Sequence, residues 1–377
     1  MLPFLAVTFE KESNMAMART ALQAEPVSQR QRVVGAIMGA FVGDALALGP
    51  HWYYDLNELH QQYGEWITDY AAPKAGRYHA GLAAGASSQS GIILALTLSS
   101  LLAQGGYDEA DFCRCLDEDL FAQLDGKPMA GPGGYTSQSI REAFRLRQQG
   151  QPWGKVAGLA DNTEAAERCL ALAVRYANDL PALAQHVSAN VALTQRDPTV
   201  AAMTLAYCLV LGQLVAGEPL DANLSGKLMA RVQAGELPFH TVTSGKLAVP
   251  QGEEAPLVAG QFASPDALLT VSSIARAASE HLIEPAWKVS LVYGLPCAVY
   301  HQFPAVYYLA ARFQEGFEAA VLSAVNGGGQ NMSRAMLTGA LCGAIGGIDA
   351  IPERFLDGLE QRDNYLALAE KLAGQMA

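Results

Sequence analysis

Hydrophobic residues recur along this chain at helical rather than strand spacing. RVVGAIMGAFVGDALALG is apolar on almost every face and stops at Gly49-Pro50, which predicts a buried helix starting at Gln29 or Arg32. GIILALTLSSLLAQ, halted by Gly105-Gly106, predicts another. YDEADFCRCLDEDLFAQL, SIREAFRLRQQG and DNTEAAERCLALAVRYAND carry helical periodicity, with Asp161 or Asn162 available to cap the last. Further helices are predicted over PALAQHVSANVALTQ, DPTVAAMTLAYCLVLGQLVAG, DANLSGKLMARVQAG, PDALLTVSSIARAASE, FPAVYYLAARF and GFEAAVLSAV. The segment His51 to His79 reads as irregular and rich in aromatics. From Phe239 to Ser264 the pattern loosens, with a small hairpin expected around Ser244-Gly245. Alternating runs are otherwise nearly absent, and there is no βαβ rhythm or repeat. The expectation is an all-α chain with one large multi-helix domain over residues 29–377. A poorly structured extension over residues 1–28 precedes it.

Two rows of glycine modify that picture. Gly35, Gly39 and Gly43 repeat every four residues, as do Gly339, Gly343 and Gly347. Such a row falls on one helix face and lets another backbone approach closely, so the two helices are expected to pack on each other at the centre. Gly327, Gly328 and Gly329 precede the late helix and supply a backbone free to take positive φ. A glycine turn at a helix N-terminus can gather N–H groups around an anion. A tight turn required only by packing explains the same residues.

Composition narrows the function classes. Half the residues are hydrophobic and 16% are charged, enough for a substantial core. The balance of 25 basic against 37 acidic residues, a net charge of −12, argues against a nucleic-acid surface or an anionic membrane. It leaves room for a small anionic ligand in a local pocket. The six cysteines are scattered without a CxxC pair, so reduced, mostly buried thiols and a cytoplasmic location are expected. MLPFLAVTFEKES has no basic region before its apolar run and does not read as a signal peptide. No apolar run is read as reaching the roughly 18 residues a membrane span requires. No Walker loop, zinc spacing or Ser-His-Asp context is recognisable. His79, two places after Arg77, is a candidate for acid–base chemistry near neutral pH.

GAIMGAFVGDALALGPHWYYD near the start and NGGGQNMSRAMLTGALCGAIGG near the end together resemble the ADP-ribosylglycohydrolase family. His51-Trp52 followed by Tyr54-Asp55, and Asn331, Ser333 and Arg334 after the glycines, resemble its branch containing the J-class jellyfish crystallins. Asp161-Asn162-Thr163-Glu164 stands where the family has a ligand-contact loop, and Thr194-Gln195-Arg196-Asp197-Pro198 resembles a segment that usually reads Thr-His-x-Asp-Pro. The resemblance implies an all-α fold around a central cleft. In active relatives that cleft holds two magnesium ions and cleaves a glycosidic bond to ADP-ribose. Those members place the metals with a Thr-Asp-Asp run and an Asp-Thr-Asp run.

This chain has Ser87-Ser88-Gln89-Ser90 at the first run and Gln330-Asn331-Met332-Ser333 at the second. Magnesium demands hard oxygen ligands, usually including carboxylates, and a thioether is the wrong donor. No metal and no cofactor are therefore expected. The expected ligand-binding residues are Asp44, His51, Ser87, Ser88, Gln89, Asp161, Asn162, Gly328, Gly329, Gln330, Asn331 and Ser333, with no catalytic residue assigned. Ser and Asn at these places also read as plain helix caps. Three functional readings stand. The first is a pseudoenzyme that binds a small, ADP-ribose-like ligand or serves a structural role. The second is an active hydrolase of an ADP-ribosyl or other N-glycosidic bond, and the third is a crystallin-like scaffold without ligand.

Overall fold

The computed structural model describes residues 26–239 and 266–376, and the expected hairpin at Ser244-Gly245 lies outside them, as does most of the N-terminal extension. The chain runs through α1 (Gln29–Leu48), α2 (Leu56–Tyr63), α3 (Gln89–Gln104), α4 (Glu109–Cys115), α5 (Gln138–Gln148) and α6 (Glu164–Arg175). It continues through α7 (Leu180–Ala192), α8 (Pro198–Val215), α9 (Leu224–Gln233), α10 (Asp266–Ser279) and α11 (Val289–Tyr293). The last elements are α12 (Val299–Arg312), α13 (Phe317–Asn326), α14 (Asn331–Gly346), α15 (Glu353–Asp357) and α16 (Arg362–Gly374). Among the described residues there is no strand, only isolated bridges between Gly158 and Gln195 and between Asn162 and Ala298.

The glycine rows meet as their spacing predicts. α1 and α14 lie antiparallel, with Gly39 against Gly339, Gly35 against Gly343 and Gly43 against Ala335. A Cβ placed on Gly39 would fall inside the Gly339 carbonyl, and one on Gly343 inside the Gly35 carbonyl. From Val33 to Leu48 every residue of α1 is buried, as is Asn331 to Ala344 of α14. Around this pair pack α13, α16, α8 and α12, and α6 packs in turn against α3, α7 and α8.

α1 starts at a capping box in which Ser28 and Gln31 satisfy each other's backbone N–H. Gly105, at φ 73°, ends α3. α6 begins later than the sequence suggests: Glu164 is its first residue, Thr163 holds the cap position, and Asn162 Oδ1 accepts the Glu164 N–H.

Three readings need correction. The His51–His79 segment is not wholly irregular, because it contains α2, capped by Asp55 and burying only Leu59. One buried residue in eight leaves too faint a stripe to read. α16 was not expected either; it lies on α1, with Tyr365 stacked on Phe41 at 3.7 Å between ring centroids. Finally, α1 and α8 do have the length and hydropathy of a membrane span. Their spans are 89% and 72% buried within the fold, which accounts for apolar residues on all sides.

Candidate functional site

Because α1 and α14 are antiparallel, the Gly327–Gly329 turn that starts α14 sits against the chain leaving α1. Trp52 N–H donates to the Gly329 carbonyl at 3.1 Å, and Gly329 N–H donates to the Tyr53 carbonyl at 2.8 Å. Gly328 and Gly329 take φ of 65° and 60°, and a Cβ on either would strike Leu56 or Leu295. Arg334, fully buried, holds the turn from inside by donating to the carbonyls of Ala324 and Gly328. With no carboxylate among those partners, burial brings its guanidinium down to about 9. The Gln330 N–H goes to the Leu295 carbonyl at 2.9 Å. The N–H groups of Gly329 and Gln330 are thus spent inside the protein, and the turn does the work of packing.

The starts of α3, α6 and α14 converge on a cleft of ≈ 180 Å³. Gln89 and Ser90 come from α3, Asp161 to Glu164 and Glu167 from α6 and the loop before it, and Gln330 and Met332 from α14. Trp52 and Tyr135 provide an aromatic wall, their rings edge to face at 4.5 Å. Trp52 and His79 are non-glycine residues at φ 61° and 64°. Such strain persists only where surrounding contacts enforce it, and it clusters at functional sites.

Glu167 is the chemical centre of this arrangement. It is 3% exposed and accepts from Ser90 Oγ at 2.5 Å, Thr163 Oγ1 at 2.6 Å and Ser333. Burial raises its pKa, these three hydrogen bonds pull it back, and the Glu164 charge adds to the rise. Beneath it lies Asp44, which accepts from both Ser88 N–H (2.9 Å) and Ser88 Oγ. Ser88 meanwhile caps α3 by accepting the Ser90 N–H. Burial pushes Asp44 up to about 7 against the Ser88 hydrogen bonds, with Glu167 adding repulsion.

A chain of hydrogen bonds leads away from Glu167. Gln330 joins Ser333 Oγ (2.7 Å) to His51 Nε2 (2.9 Å), and His51 Nδ1 meets His79 Nε2 at 2.7 Å. His79 Nδ1 donates to the Gly133 carbonyl at 2.6 Å. Burial lowers both histidines, His79 to about 4 and His51 well below its usual range, so both rings are neutral near pH 7. His79 then carries its proton on Nδ1, and His51 must donate from Nδ1 to His79 Nε2.

The sixth helix also holds a buried ion pair. Glu164 and Arg168, 4% and 1% exposed, are joined Oε2 to Nη1. Arg168 further donates to Asn190 Oδ1, the Asn190 carbonyl and Thr194 Oγ1. Gln195 fixes the loop before the helix, donating to the Ala160 and Asn162 carbonyls and accepting the Ala165 N–H.

Of the residues expected from sequence, Gln89, Asp161, Asn162 and Gln330 line the cleft. Asp44, Ser88, Asn331 and Ser333 are buried around it, Asn331 donating to the Pro50 and Val325 carbonyls. His51 is buried behind Trp52 and Gln330. Ser87 lies apart, bonded to Tyr365 and facing a separate groove with Glu360 and Leu368. Sequence reasoning missed Glu167, Tyr135 and Arg141, which also line the cleft.

These buried acids and bases act oppositely on stability. An acid raised above its unfolded value holds its proton more tightly when folded, so Asp44 costs stability as pH rises from about 4 to about 7. The depressed histidines refuse protons that the unfolded chain binds, so stability rises between about pH 4 and 6.5 on their account. Asp44→Asn removes the first effect. The variant is expected to be more stable than the parent at pH 8, on the order of 2 kcal/mol, and to show a rise in melting temperature from pH 4.5 to 6.5 that is steeper than the parent's. Parallel melting curves across that range would contradict the assignment.

Comparison with known proteins places this geometry. The ADP-ribosylglycohydrolase family model matches residues 25–377. An uncharacterised protein of Archaeoglobus fulgidus is 25% identical over 338 residues, covering 89% of this chain and 94% of that one. A solved structure described as an ADP-ribosylglycohydrolase-related protein complex superposes with a TM-score of 0.59 at 20% identity, over 93% of this chain and 99% of that chain. The helical architecture is therefore shared with that structure, and the chain belongs to the ADP-ribosylglycohydrolase family.

Proposed function

We propose that this chain binds a small, ADP-ribose-like ligand in its cleft without two magnesium ions, and is a pseudoenzyme for the metal-dependent hydrolysis typical of the family. One observation carries the reading: the side chains at the two runs where the family places its metals are neutral, and most of them are already hydrogen-bonded to other groups of the protein. Ser88 serves Asp44, Ser90 serves Glu167, the Gln89 amide nitrogen donates to Thr136, and Gln330 bridges His51 and Ser333. Met332 brings a thioether to the cleft. Magnesium keeps near-octahedral geometry with hard oxygen donors, and these residues do not fit that demand. Among the described residues, no group of three or more His, Cys, Asp or Glu is placed to hold a metal ion. His51-Trp52 followed by Tyr54-Asp55, with Asn331, Ser333 and Arg334, support placing the chain in the crystallin-containing branch.

Glu167 favours a second reading. A buried carboxylate with a raised pKa beside a cleft suits a general acid for glycosidic cleavage. Thermal melts with ADP-ribose, with and without magnesium, separate these cases. The expected result is a rise of a few degrees with ADP-ribose, unchanged by magnesium or chelator. A rise that needs magnesium would overturn the proposal. Release of ADP-ribose from an ADP-ribosylated substrate that Glu167→Gln abolishes would establish the second reading, and no shift at all would favour a scaffold.

A further inference from the structure

Helix α3 turns only part of its surface toward the cleft; another face looks outward beside α16, against which it packs. On α3, Ile92, Ala95, Leu96 and Ser99 stand at i, i+3, i+4 and i+7. At the start of α16, Gln361, Asn364, Tyr365 and Leu368 repeat that spacing. Both stripes line one groove of ≈ 460 Å³. Two helices that each present such a stripe to a common groove form a seat for a third apolar segment. Ile92, Ala95, Leu96 and Leu368 are only half-buried there. Among the described residues that line the groove, Glu360 alone is charged.

The chain itself supplies an occupant of matching chemistry. Residues 1–9, MLPFLAVTF, carry no charged side chain, and Thr8 is their one polar side chain. The chain enters α1 at the Leu368 end of the groove: Arg30 is paired with Glu370, two residues beyond Leu368. At the same end, Gln375 Nε2 donates to the Leu102 carbonyl near the close of α3. Sixteen residues, 10–25, separate the apolar run from Pro26 and can span up to about 50 Å. α16, of 13 residues, is only about 20 Å long, so the run can reach any part of the groove. Docking within one chain also avoids the cost of bringing two molecules together. A second copy suits the groove less well, because it would bring a charge of −12 against −12.

We infer that residues 1–9 fold back along α16 and lie in the groove between α3 and α16, covering its apolar floor. The inference concerns the outer face of α3 and does not depend on what the cleft binds.

Photo-crosslinking of the full chain tests it. Phe4→p-benzoylphenylalanine places a photoreactive ring in the run, and irradiation followed by peptide mapping locates the adducts. Adducts within one chain, on residues 92–99 and 361–368, are expected. Leu96→Glu sets a charge in the groove floor and is expected to cut their yield about ten-fold. If melting curves show that Leu96→Glu does not fold, Ser99→Arg, at an exposed position of the same groove, takes its place. Adducts on other surfaces, or none, would overturn the inference. Adducts that join two chains at the groove residues would overturn it too, and make a second copy the occupant. An undiminished yield in the folded groove variant would overturn it as well.

Discussion

Gly39→Val is expected to leave no stable fold, or to lower the melting temperature by about 8 °C or more, from a loss of about 4 kcal/mol taken at the lower end of the usual degrees per kcal/mol. At this crossing α1 and α14 touch backbone to backbone, and the atom that blocks a new side chain is the Gly339 carbonyl rather than a side chain that could swing away. The helices would have to separate along buried faces of sixteen and fourteen consecutive residues. Overpacking commonly costs about 1–3 kcal/mol when side chains can adjust, and here they cannot. Gly226 in α9 provides the control. A Cβ there meets nothing within 4 Å, so Gly226→Ala is expected to stabilise the protein by about 0.5–1 kcal/mol. Denaturant unfolding of both variants measures the contrast. Equal behaviour would mean that the close crossing is not what glycine provides.

Arg168→Met is expected to cost about 3–5 kcal/mol, because it strands Glu164 as a buried charge without its cation. The loss goes beyond the ion pair, since Asn190 and Thr194 also lose their shared donor. Adding Glu164→Gln to this variant should recover part of the loss by removing the stranded charge. A double variant no more stable than Arg168→Met alone would show that packing of the guanidinium, rather than charge, sets the cost. The stakes reach the cleft, because Arg168 is what turns one oxygen of Glu164 inward and leaves the other unpartnered.

The acids of α6 show what could be read from sequence. Glu164 and Glu167 stand in the first turn of a helix, where acids are favoured by the helix dipole whether or not they are exposed. One signal was available: in EAAERCLALAV the other residues are almost all apolar, so acids among them are bound to be buried and partnered. Tyr135 and Arg141 gave no such signal. Tyr135 reaches the cleft because Gly133 and Gly134, both at positive φ, let its loop lie on the start of α3 and on His79, and Arg141 follows it on α5. The interval between Gly133 and the residues it touches is settled by chain folding and by nothing local.

Helix content, the central pair and the family were legible in the sequence, because all three rest on patterns within one helix or one turn. A four-residue glycine repeat states that a backbone must come close, and two such rows in one chain identify each other. The neutral character of Gln89, Ser90, Gln330 and Met332 is read directly from the sequence. What only the tertiary structure decided is which polar atoms are spent and which are left over. Ser87 and Gln89 are two residues apart, yet one bonds Tyr365 on the far side and the other reaches the cleft. Burial raises Asp44 and Glu167 and lowers His51 and His79, and the direction of each shift is set by the packed neighbours rather than by the adjacent residues. Desolvation and hydrogen-bond satisfaction depend on neighbours contributed by distant segments, so they come into being only when the helices pack.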